Sequence, residues 1–351
     1  MSIEALQQVS LCRGLDRSAA ERLLSVSREV SFLQGAQLVR QNEPSRGAFL
    51  IRSGAVEARV ALPGGGSLTV AELRDGDVFG EMALIERGVC TATVAARSRV
   101  DGWFIGGDDF RAMVASREPV ALDIQRAITA NLAAKLRALN AKVRAYPARE
   151  DRPLGDAPPA GDPLARIARA QHASFDWRAF VPILPFFEGF DADETDELVA
   201  GTQVLELPRG AWIFAQGQVA QTCYLVLRGA VEVIAQGGGR ERRVAIAGPG
   251  EPVGYLAALV RAAHAASARV RESAALLEFP GESFLAHYNG GSGVSVSLQH
   301  AIHRSLLKSM GRTNTLLTRL ISHARLSAAV GDAAALEAAL HGQMWRAEGS
   351  S

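Results

Sequence analysis

The stretch Gly76-Asp-Val-Phe-Gly-Glu-Met-Ala-Leu-Ile-Glu-Arg-Gly-Val-Cys-Thr-Ala-Thr-Val-Ala-Ala96 changes character twice. It opens with two glycines around Asp77, followed by a second acid at Glu81, and closes in an alternating run of small and β-branched residues. Between them, Gly80-Glu81-Met82-Ala83-Leu84 reads as the start of a short helix. The first N–H groups of a helix have no partner inside it, and a glycine lets an anion approach them closely. The stretch therefore raises the question of an anionic ligand, and of which cation would complete its site.

Working outward, the chain repeats itself. Leu11-Cys-Arg-Gly-Leu-Asp16 matches Phe186-Phe-Glu-Gly-Phe-Asp191 at an offset of about 175. Phe49-Leu-Ile-Arg-Ser-Gly-Ala-Val-Glu57 matches Tyr224-Leu-Val-Leu-Arg-Gly-Ala-Val-Glu232, and Gly76, Val78 and Gly80 match Gly250, Pro252 and Gly254. Glycines and apolar positions in register over most of a domain indicate duplication of one domain. We expect domain 1 over residues 1–145, a Pro/Gly-rich linker over 146–178, domain 2 over 179–326 and a short tail over 327–351. The linker core, Tyr146 to Pro163, carries prolines, glycines and charges that cannot build a core.

Each copy shows the same order. In the first, Ser18 to Val30 has apolar residues at helical spacing, with Ser18 as N-cap and Glu21 three residues on. Short alternating segments follow at 37–41, 48–52, 56–60, 68–72, 91–94 and 102–105, separated by glycine-containing turns. This pattern predicts a mainly β architecture, a small antiparallel barrel or jelly roll. A long helix comes next, Val120 to Val143, with Ile124, Ile128, Leu132, Leu136, Leu139 and Val143 on one stripe. Its counterpart is expected from about Val296 to Leu326. Such a stripe packs on a partner helix or on its own barrel, and the pattern alone supports both.

The chain has 351 residues, 48% hydrophobic and 21% charged, with a formal net charge of +1. No large field is available to hold nucleic acid. Cys12, Cys90 and Cys223 are widely spaced and odd in number, which argues against a disulfide framework and for a reducing compartment. No signal peptide and no window of membrane-spanning apolarity is visible, so a cytoplasmic location is expected. The abundance of alanine and arginine over lysine fits a GC-rich bacterial genome. Nucleophile elbow, P-loop and paired catalytic carboxylates are not found, and no enzyme activity, metal or cofactor is expected.

Helix, glycine-framed barrel, inserted Gly-Glu-x-Ala-Leu turn, then long helix: this arrangement resembles the cyclic-nucleotide-binding domain of catabolite-activator-like regulators and protein kinase A regulatory subunits. The resemblance covers about residues 5–145 and 180–322. It implies that Gly80, Glu81, Met82 and Ala83 line a nucleotide site, with the turn amides on the cyclic phosphate and Glu81 on the ribose 2′-hydroxyl. The family's phosphate-binding arginine stands nine residues after that glutamate, and here the position is Cys90, followed by Thr91. Cysteine carries no positive charge and is a weak donor. Losing a charged hydrogen bond costs about 1.5–3 kcal/mol. Arg87, on the same loop, either swings in or remains an exposed loop arginine, and we favour the latter.

The second copy departs further. Gly254 remains, Tyr255 takes the glutamate position, and Leu256 follows. Counting forward from Tyr255 places His264 at the arginine position; counting back from the next strand places Ala266 there, as if the loop had gained about two residues. Arg261, His264 and Ser267 are the remaining polar candidates of this degenerate pocket. The helix-turn-helix that follows the long helix in catabolite activators has no counterpart in the roughly 25 residues after Leu326, so DNA is not an expected partner. Trp345 stands in that tail as an apolar residue for docking or as an incidental one. Two readings stand. One is a regulatory protein with cAMP or cGMP in domain 1, signalling through a protein partner or a homodimer of the long helices. The other is a ligand-independent scaffold.

Overall fold

The computed structural model describes residues 3–61, 67–145, 152–153, 158, 161–164, 175–237 and 240–347, with side chains as far as residue 320. The first copy opens with α1 (Ile3–Gln7) and α2 (Arg17–Ser25). Strands β1 (Ser27–Phe32), β2 (Gln37–Val39), β3 (Gly47–Ser53), β4 (Val56–Ala61), β5 (Ser67–Leu73) and β6 (Val78–Phe79) lead to the short helix α3 (Met82–Ile85). Then come β7 (Thr93–Ala96), β8 (Val100–Gly106), α4 (Gly107–Ala115) and the long α5 (Pro119–Ala145).

The strands form two antiparallel four-stranded sheets, ordered β1-β8-β3-β6 and β2-β7-β4-β5. Alternation decides which side chains meet between them. Ile51, Val56, Ala58, Phe79, Val94, Ala96 and Val100 close one core drawn from both sheets. This is the expected jelly roll, built as two facing sheets.

The helix expected over Ser18 to Val30 is shorter. Asp16 caps it, its carboxylate accepting from the Ala19 N–H at 2.7 Å, and it ends at Ser25. Residues 27–32 pair instead with β8, from Ser27 opposite Ile105 to Phe32 opposite Val100. The edge of β8 pairs all six residues as an antiparallel ladder, with Val30 opposite Gly102 and Phe32 opposite Val100.

After β9 (Arg152–Pro153), the second copy runs through α6 (Ala192–Val199), β10 (Gln203–Leu207), β11 (Trp212–Phe214), β12 (Thr222–Gly237), β13 (Arg240–Ala247), β14 (Pro252–Val253) and α7 (Tyr255–Leu259). It closes with β15 (Ser267–Pro280), α8 (Gly281–Asn289) and α9 (Gly293–Ala347). Its sheet is ordered β10-β15-β12-β13-β9, with β11 on β15 and β14 on β12. The expected linker lies mostly outside the described residues. Its described parts are structured: β9 pairs with β13, and Leu164 is wholly buried in the core of the second copy. Helix α9 continues to Ala347, across residues expected as a tail; the Trp345 side chain lies outside the described ones.

The chain divides into two compact units that do not follow the repeat. The first comprises residues 1–131, 189–198 and 285–303; the second comprises 132–188, 199–284 and 304–351. Each unit therefore holds one β domain and a stretch of both long helices. No helix among the described residues is long and apolar enough to cross a membrane.

Candidate functional site

In the first copy, strand β6 delivers Gly80 with φ +75°, a left-handed conformation that favours glycine. A Cβ there would lie 2.6 Å from the Gly47 carbonyl oxygen, and the nearest atoms are all backbone of Gly47 and Ala48. The turn then winds into α3: the Ala83 N–H donates to Gly80 O at 3.0 Å and the Leu84 N–H to Glu81 O at 3.2 Å. Glu81 is 7% exposed, Ala83 is buried and Met82 half-buried.

Helix α4 braces this turn from outside. The Arg111 guanidinium donates to Ala83 O at 2.6 Å and to Asp108 Oδ1 at 2.6 Å. Arg87 donates to the same Asp108 oxygen at 2.8 Å while 80% of its side chain stays exposed. Hydrogen bonds from Arg111 and then Arg87 hold the Asp108 carboxyl below its ordinary range. Arg87 is thus an exposed loop arginine paired with α4.

Cys90 is pinned by its backbone. Its N–H donates to Glu43 O at 2.8 Å, and its carbonyl accepts from the Asn42 N–H at 2.8 Å. Its side chain is half-buried, whereas Thr91 is exposed. The strand hydroxyl that carries a structural bond is Thr93, which accepts from the Gln41 N–H at 3.1 Å.

The same bonds recur in the second copy and settle its register. The His264 N–H donates to Gln218 O at 2.9 Å and its carbonyl accepts from Gly217 N–H at 2.9 Å. Ser267 accepts from the Gln216 N–H at 2.9 Å, as Thr93 does from Gln41. His264 therefore stands where Cys90 stands, nine residues past Tyr255 as Cys90 is past Glu81. The loop has gained nothing before this point, and Ala266 is not the equivalent position. Ser267, fully buried, is a strand-tying residue.

What fills this seat is a ring stack. The His264 imidazole lies on the Phe214 ring with centroids 3.7 Å apart and planes 10° apart. Gly254 has φ +80°, and a Cβ on it would lie 3.1 Å from Phe214 Cε1 and 3.2 Å from His264 Cε1. Burial pushes the His264 pKa down to about 4, so the ring is neutral near pH 7. Tyr255 is buried, its hydroxyl pKa pushed up to about 12 by desolvation. Leu256 is half-buried, and Arg261 is exposed on the loop with φ +47°. Sequence reasoning missed Phe214. Its signal was present, because the repeat places this aromatic opposite Val39 of the first copy.

The two copies also differ just before the turn. Asp77 accepts from the Arg74 N–H at 2.8 Å. Glu251, in the matching place, does the same for Gly248 at 3.3 Å and also reaches α9. It takes Lys308 at 2.5 Å and both terminal nitrogens of Arg312 at 2.7 and 2.8 Å. No metal-holding group of His, Cys, Asp and Glu occurs among the described residues.

Residues 29–117 and 204–289 each match the family model "Cyclic nucleotide-binding domain". Both copies belong to this family, and the chain is a tandem cyclic-nucleotide-binding-domain protein. It is 37% identical over 103 residues to the cyclic AMP receptor protein of Thermus thermophilus, covering 29% of this chain and 48% of that protein. It is 34% identical over 95 residues to a cAMP-dependent protein kinase regulatory subunit of Schizosaccharomyces pombe, covering 27% and 22%. It is 34% identical over 108 residues to the acetyltransferase Pat of Mycolicibacterium smegmatis, covering 31% of each. In each case the match spans less than half of the curated relative.

Proposed function

We propose that this chain is a non-enzymatic regulatory protein of the cytoplasm. It acts through contacts with a protein partner and takes its ligand, a cyclic nucleotide such as cAMP or cGMP, in the first copy only. One contrast carries this reading: the atoms crowding Gly80 are backbone atoms of Gly47 and Ala48, whereas Gly254 faces the side chains of His264 and Phe214. Gly80, Glu81, Met82 and Ala83 would line the site, with the amides ahead of Ala83 toward the phosphate and Glu81 as the ribose acceptor, and with Cys90 and Thr91 at the rim. The cyclic phosphate would lack a guanidinium, because Arg87 is paired with Asp108. Binding is therefore weak by the standard of the family. The relatives named for cyclic AMP or for a regulatory subunit support the class of ligand and the regulatory role.

A second reading, a ligand-independent scaffold, is favoured by Cys90 itself and by the Arg87–Asp108 pair. Calorimetric titration with cAMP and cGMP, and with a linear mononucleotide as control, separates the two. We expect binding near one equivalent per chain for a cyclic nucleotide. Absence of heat and of thermal shift at millimolar ligand would leave the scaffold.

A further inference from the structure

The apolar stripe of α5 is covered within the chain. Ile124, Ile128, Leu132, Leu136 and Val143 are at most 3% exposed, and Leu298, Ile302 and Leu306 of α9 are fully buried. In the first compact unit, the Gln125 amide donates to Gln299 Oε1 at 3.1 Å, and both side chains are fully buried. In the second, the Thr313 hydroxyl donates to Asn140 Oδ1 at 3.3 Å. Residue number rises in the same direction along both helices from one pair to the next, so the helices run parallel. Gln125 and Gln299 are separated by 174 residues, the interval that relates Cys90 to His264, so this residue meets its own equivalent; Asn140 meets Thr313, the neighbour of its equivalent Asn314. In a two-fold interface, residues near the axis meet their own copies in this way.

We infer that the tandem copies form a built-in dimer: α5 and α9 are each other's partner, in parallel and in register, and neither needs a second chain to cover its stripe over 119–145 and 293–320. The buried Gln125–Gln299 pair sets the register, because a slip along the seam would strand amides in an apolar interface.

The test is a comparison of linkage within and between chains. Asn140→Cys and Thr313→Cys are placed together, and separately, in full-length protein carrying Cys90→Ser; the native Cys12 and Cys223 are buried. A short bis-maleimide is the probe. We expect the double variant to give the linked peptide pair at the mass of one chain, and a mixture of the two single variants to give no two-chain species. A two-chain species from the mixture, or no linked peptide in folded double variant, overturns the proposal. Should these variants not fold, Gln125→Leu and Gln299→Leu give an independent reading. Gln299→Leu leaves the buried Gln125 Nε2 without its acceptor, and Gln125→Leu leaves the buried Gln299 Oε1 without its donor while Gln299 Nε2 stays on Tyr288 O, so the double variant should unfold at a higher temperature than the sum of the single losses requires. Additive losses would also overturn the proposal.

Discussion

The seats at Cys90 and His264 are one backbone with two fates. Both residues are hung by the same two hydrogen bonds from the preceding hairpin, and in both copies a left-handed glycine opens the short helix nearby. The first copy puts a small thiol there and leaves Glu81 in the turn. The second puts a neutral imidazole there, lays it on Phe214 and replaces the glutamate with a buried tyrosine. A family frame thus persists where its charge chemistry does not. Backbone geometry depends on glycines and sheet pairing, whereas phosphate affinity depends on one side chain.

The comparison can be broken most forcefully at Phe214. Phe214→Ala removes the lower ring of the stack and part of the second core, and should cost about 3–5 kcal/mol in stability by denaturant unfolding. The smaller Val39, in the matching place, should cost less when cut to alanine. Equal losses would mean that the ring stack contributes nothing particular to the second copy.

Next comes Cys90→Arg. A guanidinium on this pinned backbone should gain about 1.5–3 kcal/mol for a cyclic phosphate, roughly tenfold or more in Kd by calorimetry. No gain in folded protein would show that residue 90 does not face the ligand.

Acid should separate the copies in another way. Burial holds the His264 pKa at about 4, and burial with the nearby His300 holds His303 at about 4. In the unfolded chain both rings take a proton near pH 6.5. Between pH 6.5 and 4 the unfolded state therefore binds more protons, and stability falls as the pH drops through that window. The loss across that window should be on the order of 3 kcal/mol per ring, since both are buried. His264→Phe should flatten the unfolding midpoint against pH; an unchanged slope would contradict a buried neutral ring.

The smallest effect is expected at Arg87. Its pair with Asp108 is exposed on both sides, and such pairs contribute little. Arg87→Ala should leave both the unfolding midpoint and any nucleotide affinity unchanged. A marked loss of affinity would show that Arg87 leaves Asp108 to meet the ligand.

Much of this protein was legible in the order of its residues. The duplication, the jelly-roll class and α5 followed from glycine placement and from periods of two and 3.6, which are local properties. The Gly80–Glu81 turn and the missing arginine were readable for the same reason, since they lie within ten residues of each other. Tertiary structure decided the rest. Residues 27–32 left the helix because β8, far along the chain, offered an edge. Arg87 was assigned by Asp108 on α4, and the register at His264 by hydrogen bonds to Gly217 and Gln218. The partner of α5 was decided by α9, more than 150 residues away. An apolar stripe states that something must cover it; only packing determines what does, because burial is non-directional and rewards any matching surface.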